Sequence, residues 1–129
     1  MTVAYLDTSA AAKRLIDEPQ SVAFGAWADR PEITLVGTHL LETELRRLAH
    51  RAHLPQSAAS AVLDRISIYD LPKQVFSEAG VLLPELALRS LDALHLAGAL
   101  QLGVDVMVTY DGRLAEAADR VGLEVVAPT

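Results

Sequence analysis

Four acidic residues spread along the chain, Asp7, Glu44, Asp92 and Asp111, are the ones whose type and context point to chemistry. Carboxylates gathered at one place repel each other unless cations hold them. Their oxygens are hard ligands, which suit Mg²⁺ or Mn²⁺. Two such ions roughly 4 Å apart can activate a water and stabilise the leaving oxygen in phosphodiester hydrolysis. If the fold brings the four residues together, we therefore expect a divalent-metal site.

The secondary structure that must position these acids alternates between strands and helices. Strands are predicted at residues 2–6, 33–36, 67–71, 105–110 and 123–126. Helices are predicted at residues 10–16, 19–27, 38–52, 56–66, 72–88, 91–102 and 111–121. This alternation predicts an α/β fold with three layers, in which helices flank a mainly parallel central sheet. The length of 129 residues suits a single domain spanning residues 1–129.

The predicted topology brings all four acids to one edge of the sheet, the edge where open α/β sheets bind ligands. Asp7 and Asp111 each follow a strand directly, so both lie at its carboxyl end. Glu44 falls in the first two turns of the helix after the second strand. Asp92 begins a crossover helix, which runs antiparallel to the strands and therefore starts at the same edge. Four separate placements thus converge.

Each acid also has a plainer interpretation. Asp7 and Asp111 stand at strand-to-helix junctions, where Asp commonly caps a helix, and Asp111-Gly112 is a common turn pair. Asp92 begins a helix that is apolar almost all round, so its carboxylate should be buried and need compensation, part of which the helix dipole supplies. Glu44 stands about 60° from the leucine stripe of its helix, which predicts a boundary position.

The neighbouring basic residues are interpreted more simply. His95 follows Asp92 by three residues and shares its helix face, where a hydrogen-bonded core histidine is commoner than a metal ligand. Arg46, Arg47 and Arg51 are most simply a solvated face that could also touch phosphate.

Composition narrows the functional classes. Hydrophobic residues make up 51% of the chain and its mean hydropathy is +0.26, so we expect a partner or a second copy to cover some apolar surface. No apolar run approaches the roughly 20 residues of a membrane span, and only six residues precede Asp7, so we expect a cytoplasmic protein without a removable signal. The absence of cysteine excludes disulfides and thiolate sites.

The net charge of −6 argues against a general polyanion-binding surface. However, the four acids supply most of the excess, because the remaining chain has 13 acidic and 11 basic residues. Bound divalent cations would offset the charge of the four. A nucleic-acid substrate therefore stays compatible with the composition.

The segments around the four acids resemble the motifs of a known family. They are Tyr5–Lys13, Glu44–Leu48, Leu91–Ala97 and Val108–Leu114. In order, they are similar to the successive motifs of PIN-domain ribonucleases, and their spacing and the total length most resemble the VapC toxins of type II toxin–antitoxin modules. Each motif alone is weak, whereas four in the same order are specific.

The resemblance implies a toxic endoribonuclease that depends on Mg²⁺ or Mn²⁺ and hydrolyses RNA, with tRNA and rRNA as candidate substrates. It also implies a toxin homodimer, neutralised by a cognate VapB antitoxin whose tail reaches the active site in a heterotetramer or larger complex. Carried onto matching positions, the acidic quartet is Asp7, Glu44, Asp92 and Asp111, and the supporting polar groups are Thr8, Ser9 and Thr109. Asp7, Asp92 and Asp111 are expected to contact metal most directly, and Glu44 through water.

Two other functions fit the same fold class. A phosphoacceptor receiver domain would need an acidic pair at the end of the first strand and a lysine after a late strand. Here Asp7 is followed by Thr8 and Ser9, and no lysine occurs after Lys73. A domain that binds RNA or a partner without cutting would keep its biological effect when the quartet is mutated.

Overall fold

The computed structural model describes residues 1–129, which form five strands and seven α-helices. The strands are β1 (Thr2–Leu6), β2 (Ile33–Thr38), β3 (Ser67–Tyr69), β4 (Val106–Val108) and β5 (Glu124–Val126). The helices are α1 (Thr8–Ala11), α2 (Ser21–Ala28), α3 (His39–Arg51), α4 (Gln56–Leu63), α5 (Lys73–Val81), α6 (Ser90–Leu102) and α7 (Gly112–Arg120). A single 3₁₀ turn, Ala12–Arg14, continues α1.

All strand pairs in the sheet are parallel, and the strand order is β3-β2-β1-β4-β5. This arrangement confirms the predicted α/β class. The chain moves outward in one direction from β1 to β3 and in the other from β4 to β5, so the order reverses between β1 and β4. Open α/β sheets form a ligand crevice at the carboxyl ends of the strands beside such a reversal. Asp7 and Asp111 follow the two strands that flank it.

Helices cover both faces of the sheet, which makes the three predicted layers. Successive residues of a strand point to opposite faces, and β1 divides its side chains accordingly. Ala4 and Leu6 pack in one buried cluster with Leu45 of α3, whereas Tyr5 packs in another with Leu96 of α6. Helices α3 and α6 therefore lie on opposite faces of the sheet, and both begin at its carboxyl edge.

The largest departure from the predicted elements follows α5. The apolar spacing predicts one helix over residues 72–88, but α5 ends at Val81 and residues 82–89 are irregular. Pro84 has no backbone N–H and cannot continue a helix, and Leu83 before it has a positive φ of 47°. Leu82, Leu86 and Leu88 nevertheless pack against the core, so their apolar spacing reflects burial rather than a helix.

The ends of α6 matter for the carboxyl edge of the sheet near Asp7, Glu44, Asp92 and Asp111, which we call the acidic edge. Gly103 ends the helix in the left-handed conformation, with a φ of 64°, as expected for a glycine at this position. At the other end Arg89, rather than the expected Ser90, is the capping residue, so Asp92 is the third residue of the helix.

None of the helices combines the length and the apolar character needed to cross a membrane.

Candidate active site

Asp7 lies at the carboxyl end of β1 and is only 5% exposed. Its Oδ1 accepts hydrogen bonds from Ser9 Oγ at 2.7 Å and from the Ala10 backbone N–H at 3.0 Å, and its Oδ2 accepts one from Thr109 Oγ1 at 2.7 Å. Burial raises the pKa of this carboxyl, and the three hydrogen bonds oppose that rise. Asp7 is thus a helix cap as well as a candidate ligand, and Ser9 and Thr109 hold it as supporting groups.

Asp111 follows β4 and lies close to Thr109. Its Oδ1 accepts from the backbone N–H groups of Arg113 and Leu114 at 2.9 and 3.4 Å and so caps α7. Its own backbone N–H donates to Thr109 Oγ1 at 3.1 Å, which links it to the group that holds Asp7. Its second carboxylate oxygen accepts no hydrogen bond from the chain and faces no cationic partner.

Glu44 reaches the edge from the second turn of α3, with its side chain 27% exposed. Its Oε1 accepts hydrogen bonds from Thr8 Oγ1 at 2.8 Å and from His95 Nε2 at 2.5 Å. Burial would raise the pKa of Glu44, but the hydrogen bonds and the attraction to His95 outweigh it and leave the pKa below its ordinary value. Glu44 is therefore ionised at neutral pH, and Thr8 joins α1 to α3 through it.

His95 is the buried hydrogen-bonded residue that its helix position predicts, at 2% exposed. Its Nδ1 lies 2.7 Å from the Tyr5 hydroxyl, and its ring meets the Tyr5 ring edge-on. Because an ionised carboxylate only accepts, Nε2 donates to Glu44. In the neutral imidazole, Tyr5 then donates to Nδ1. Burial raises the pKa of Tyr5 well above its ordinary value, so the phenol keeps its proton.

Sequence reasoning missed the part that Tyr5 plays. The signal was present, because a tyrosine in an otherwise aliphatic buried strand needs a partner for its hydroxyl. The partner itself was not readable, since His95 lies 90 residues further along the chain. Tyr5 of the central strand β1 contacts His95, and His95 in turn holds Glu44.

A double-mutant cycle on Tyr5 and His95 should detect this coupling. His95→Phe keeps an aromatic ring but leaves the buried Tyr5 hydroxyl without its main partner, so we expect a loss of about 1–3 kcal/mol in the free energy of unfolding. Adding Tyr5→Phe removes the orphaned hydroxyl, so the double variant should lose less than the sum of the single losses. Urea denaturation of the four proteins measures this. Additive losses would contradict the coupling.

Asp92 completes the edge from the first turn of α6 and is partly exposed. No hydrogen bond from the chain reaches its carboxylate. Burial and the negative charges of Asp111 and Glu44 raise its pKa, and the positive charges of His95 and Arg89 offset this only in part. Asp92 therefore experiences the negative charges of Asp111 and Glu44 without a hydrogen bond to offset them.

The four carboxylates fit a divalent cation in charge and in ligand chemistry. No lysine or arginine forms an ion pair with any of them, and His95 is the single basic partner, to Glu44. No three of these side chains lie close enough together to hold a metal ion as a closed cluster of ligands. Mg²⁺ does not need a closed cluster, because it usually keeps several waters and binds one or two carboxylates directly. The residues present thus suit a partly hydrated hard cation.

Comparison with known proteins identifies the family. The PIN domain family model matches residues 4–120. Ribonuclease VapC35 of Mycobacterium tuberculosis is 42% identical over 131 residues, which cover 96% of both chains. Ribonuclease VapC46 of the same species is 37% identical over 132 residues, and the match covers the full length of both chains.

Solved structures of other proteins have the same fold. VapC20 of Mycobacterium tuberculosis, a toxin that cleaves the sarcin–ricin loop, superposes with a TM-score of 0.73 at 18% identity, covering 97% of this chain and 99% of its own. VapBC2 of Rickettsia felis, bound to a promoter DNA fragment, gives a TM-score of 0.78 at 17% identity, covering 98% and 99%. At such identities these structures establish the fold alone, and the sequence relatives establish the family. The chain belongs to the PIN-domain family and, within it, to the VapC ribonucleases.

Proposed function

We propose that this ribonuclease hydrolyses RNA phosphodiester bonds at the edge formed by Asp7, Glu44, Asp92 and Asp111, with Mg²⁺ or Mn²⁺ held by these carboxylates. One observation carries the proposal: four acids from four segments lie along the carboxyl edge of the sheet, beside the reversal of strand order, and none of them forms an ion pair with a lysine or arginine. Bound divalent ions would supply an activated water and charge stabilisation for the leaving oxygen.

The residues of the chain have different parts in this proposal. Asp7 is held rigidly by Ser9 and Thr109, so it presents its carboxylate in one orientation. Asp92 and Asp111 keep oxygens that no group of the chain engages, so they are the acids most available for direct metal contact. Glu44 is committed to Thr8 and His95 through Oε1, which suits a contact through water by its other oxygen.

The protein's toxic activity requires control, and we propose a cognate VapB antitoxin as its inhibitor. The VapBC2 structure combines a toxin of this fold with its antitoxin. In this chain, Phe76 and Leu91 are about half exposed and line a cavity of about 510 Å³ that Glu44 also reaches. An apolar partner segment seated there would end beside the acidic edge. We also propose a homodimer, which would cover further apolar surface. Residues 1–129 would act in it as one domain.

A test of the proposed site compares two glutamates of α3 that lie two residues apart. Glu44→Gln keeps an oxygen for Thr8 and His95 but loses the charge, so RNA cleavage should fall about 10- to 100-fold. Glu42→Gln removes only the surface contacts with Arg46 and His39, so cleavage should stay within about twofold. Cleavage of purified cellular RNA with Mg²⁺, Mn²⁺ or EDTA is the measurement.

The outcomes distinguish catalysis from binding. Cleavage that requires the metal and falls in Glu44→Gln alone supports the proposed site. Cleavage in EDTA, or equal cleavage by both variants, would count against it. Growth arrest on induction that persists in Glu44→Gln, with no cleavage by any of the proteins, would instead assign the chain a binding role.

A further inference from the structure

Two arginines of α3 have no bonding partner in the chain. Thr43, Arg47 and Arg51 recur at intervals of four residues, so they form one row along the helix surface. Arg47 and Arg51 are exposed, and neither takes part in an ion pair or a side-chain hydrogen bond. Their neighbour Arg46 is different, because its guanidinium is bound to three other side chains, Glu42, Gln56 and Ser60. Arg46 therefore fastens α3 to α4, whereas Arg47 and Arg51 are free for a ligand.

The same two arginines line a cavity beside the acidic edge. This cavity has a volume of about 310 Å³ and is lined by Thr8, Thr43, Glu44, Arg47, Arg51 and Leu91. Five of these six side chains carry a polar or charged group. Because Glu44 belongs both to this cavity and to the acidic quartet, a ligand in the cavity lies directly beside the proposed reaction site.

We propose that this cavity is a subsite for the RNA backbone, in which Arg47 and Arg51 bind phosphates that flank the bond to be cleaved. The proposal rests on the proposed function. Guanidinium groups bind phosphate through paired hydrogen bonds, and they are always charged. Arg47 and Arg51 follow Glu44 by three and seven residues, or about 4.5 and 10.5 Å along the helix axis. An RNA strand leaving the acidic edge along α3 would therefore meet first one arginine and then the other.

Charge explains why such a subsite is needed. The chain has a net charge of −6, and its acidic edge repels phosphates. Metal ions can offset this only at the phosphate that reacts, so the flanking phosphates need cations from the protein. Two free cations at successive positions suit a ligand with a repeating charge. A single peptide carboxylate would engage only one of them.

The test measures RNA binding separately from RNA cleavage. A short fluorescein-labelled RNA of randomised sequence is titrated in EDTA with wild type, Arg47→Gln/Arg51→Gln and Arg30→Gln, at several salt concentrations. Arg30 is the matched control, because it is exposed and precedes β2 at the opposite edge of the sheet. The double variant should bind roughly tenfold more weakly. Its slope of log affinity against log salt should be shallower by about 1.4, or about 0.7 for each phosphate that is no longer neutralised.

Each possible result either supports or overturns the proposed subsite. A weaker, less salt-dependent double variant beside an unchanged Arg30→Gln supports the subsite, provided that both variants melt like wild type. Unchanged RNA affinity and slope in the double variant, or no detectable RNA binding by wild type, would overturn it. So would a double variant that loses binding to a polyglutamate peptide but not to RNA, since the cavity would then take a protein partner.

Cleavage assays on the same proteins keep this proposal separate from the proposed function. If wild type cleaves RNA with Mg²⁺ and the double variant binds and cleaves equally well, the subsite fails while the nuclease site stands. If wild type does not cleave RNA but the arginines still determine RNA binding, the nuclease site fails while the subsite stands.

Discussion

Asp92→Asn is expected to reduce RNA cleavage by about 100- to 1000-fold while leaving the metal-free fold at least as stable as wild type. The loss of activity follows from its proposed metal contact. The preserved stability follows from its surroundings, because no hydrogen bond of the chain holds the carboxylate and the nearby Asp111 and Glu44 repel it. An asparagine removes that repulsion at almost the same volume. A residue needed for folding would behave in the opposite way.

The stability difference should depend on pH with a defined sign. The raised pKa of Asp92 means that the folded state binds its proton more tightly than the unfolded state does. The contribution of Asp92 to wild-type stability in EDTA should therefore decline as pH rises from the unfolded pKa, about 3.9, through the raised folded value. Asp92→Asn lacks this contribution. The gain in stability of the variant over wild type should thus be absent at low pH and present at neutral pH.

Thermal melting with and without Mg²⁺ checks both parts of this prediction. Wild type should melt at a higher temperature as Mg²⁺ is added, because a ligand that binds only the folded state stabilises it. Asp92→Asn should lose most of that increase. Asp119→Asn, an exposed substitution on α7 without side-chain partners, is the control and should match wild type. An Asp92→Asn protein that melts lower in EDTA and keeps its Mg²⁺ response would assign the residue to folding instead.

Leu45→Ala should have the largest effect on stability while sparing the chemistry. Leu45 is fully buried between α3 and the sheet, one residue after Glu44. Truncating such a leucine costs about 2–5 kcal/mol, a large part of the roughly 5–15 kcal/mol that holds an ordinary domain folded. The midpoint of thermal unfolding should fall by about 3 °C for each kcal/mol of destabilisation. RNA cleavage per folded molecule should be nearly unchanged at low temperature.

Urea denaturation followed by circular dichroism measures this loss. His50→Ala, an exposed substitution on the same helix, should stay within about 0.5 kcal/mol of wild type. The variants at Glu44 and Leu45 would then show that neighbouring residues of α3 have different roles, Glu44 in RNA cleavage and Leu45 in stability. If Leu45→Ala were stable but inactive, α3 would position the site in a way that burial alone does not explain.

Much of the fold follows from local patterns that a sequence displays. The first strand and the start of α3 lie where the apolar runs and the capping residues predict them, and Gly103 ends α6 as expected. Local patterns failed after α5, because the leucines of residues 82–88 have a helix-like spacing that Pro84 does not permit. Apolar spacing reports which side chains are buried, and an irregular segment can bury leucines as well as a helix does.

For the candidate site, the sequence by itself determined at which edge of the sheet the acids lie, since alternating strands and helices bring Asp7, Glu44, Asp92 and Asp111 to one edge. Their assignment as metal ligands stays a prediction. Only the tertiary structure decided how they are held. His95 of α6 contacts both Tyr5 of β1 and Glu44 of α3, and Arg47 shares a cavity with Glu44 whereas its neighbour Arg46 does not. Element order follows from local preferences, but hydrogen bonds and cavities depend on side-chain packing between segments far apart in the chain.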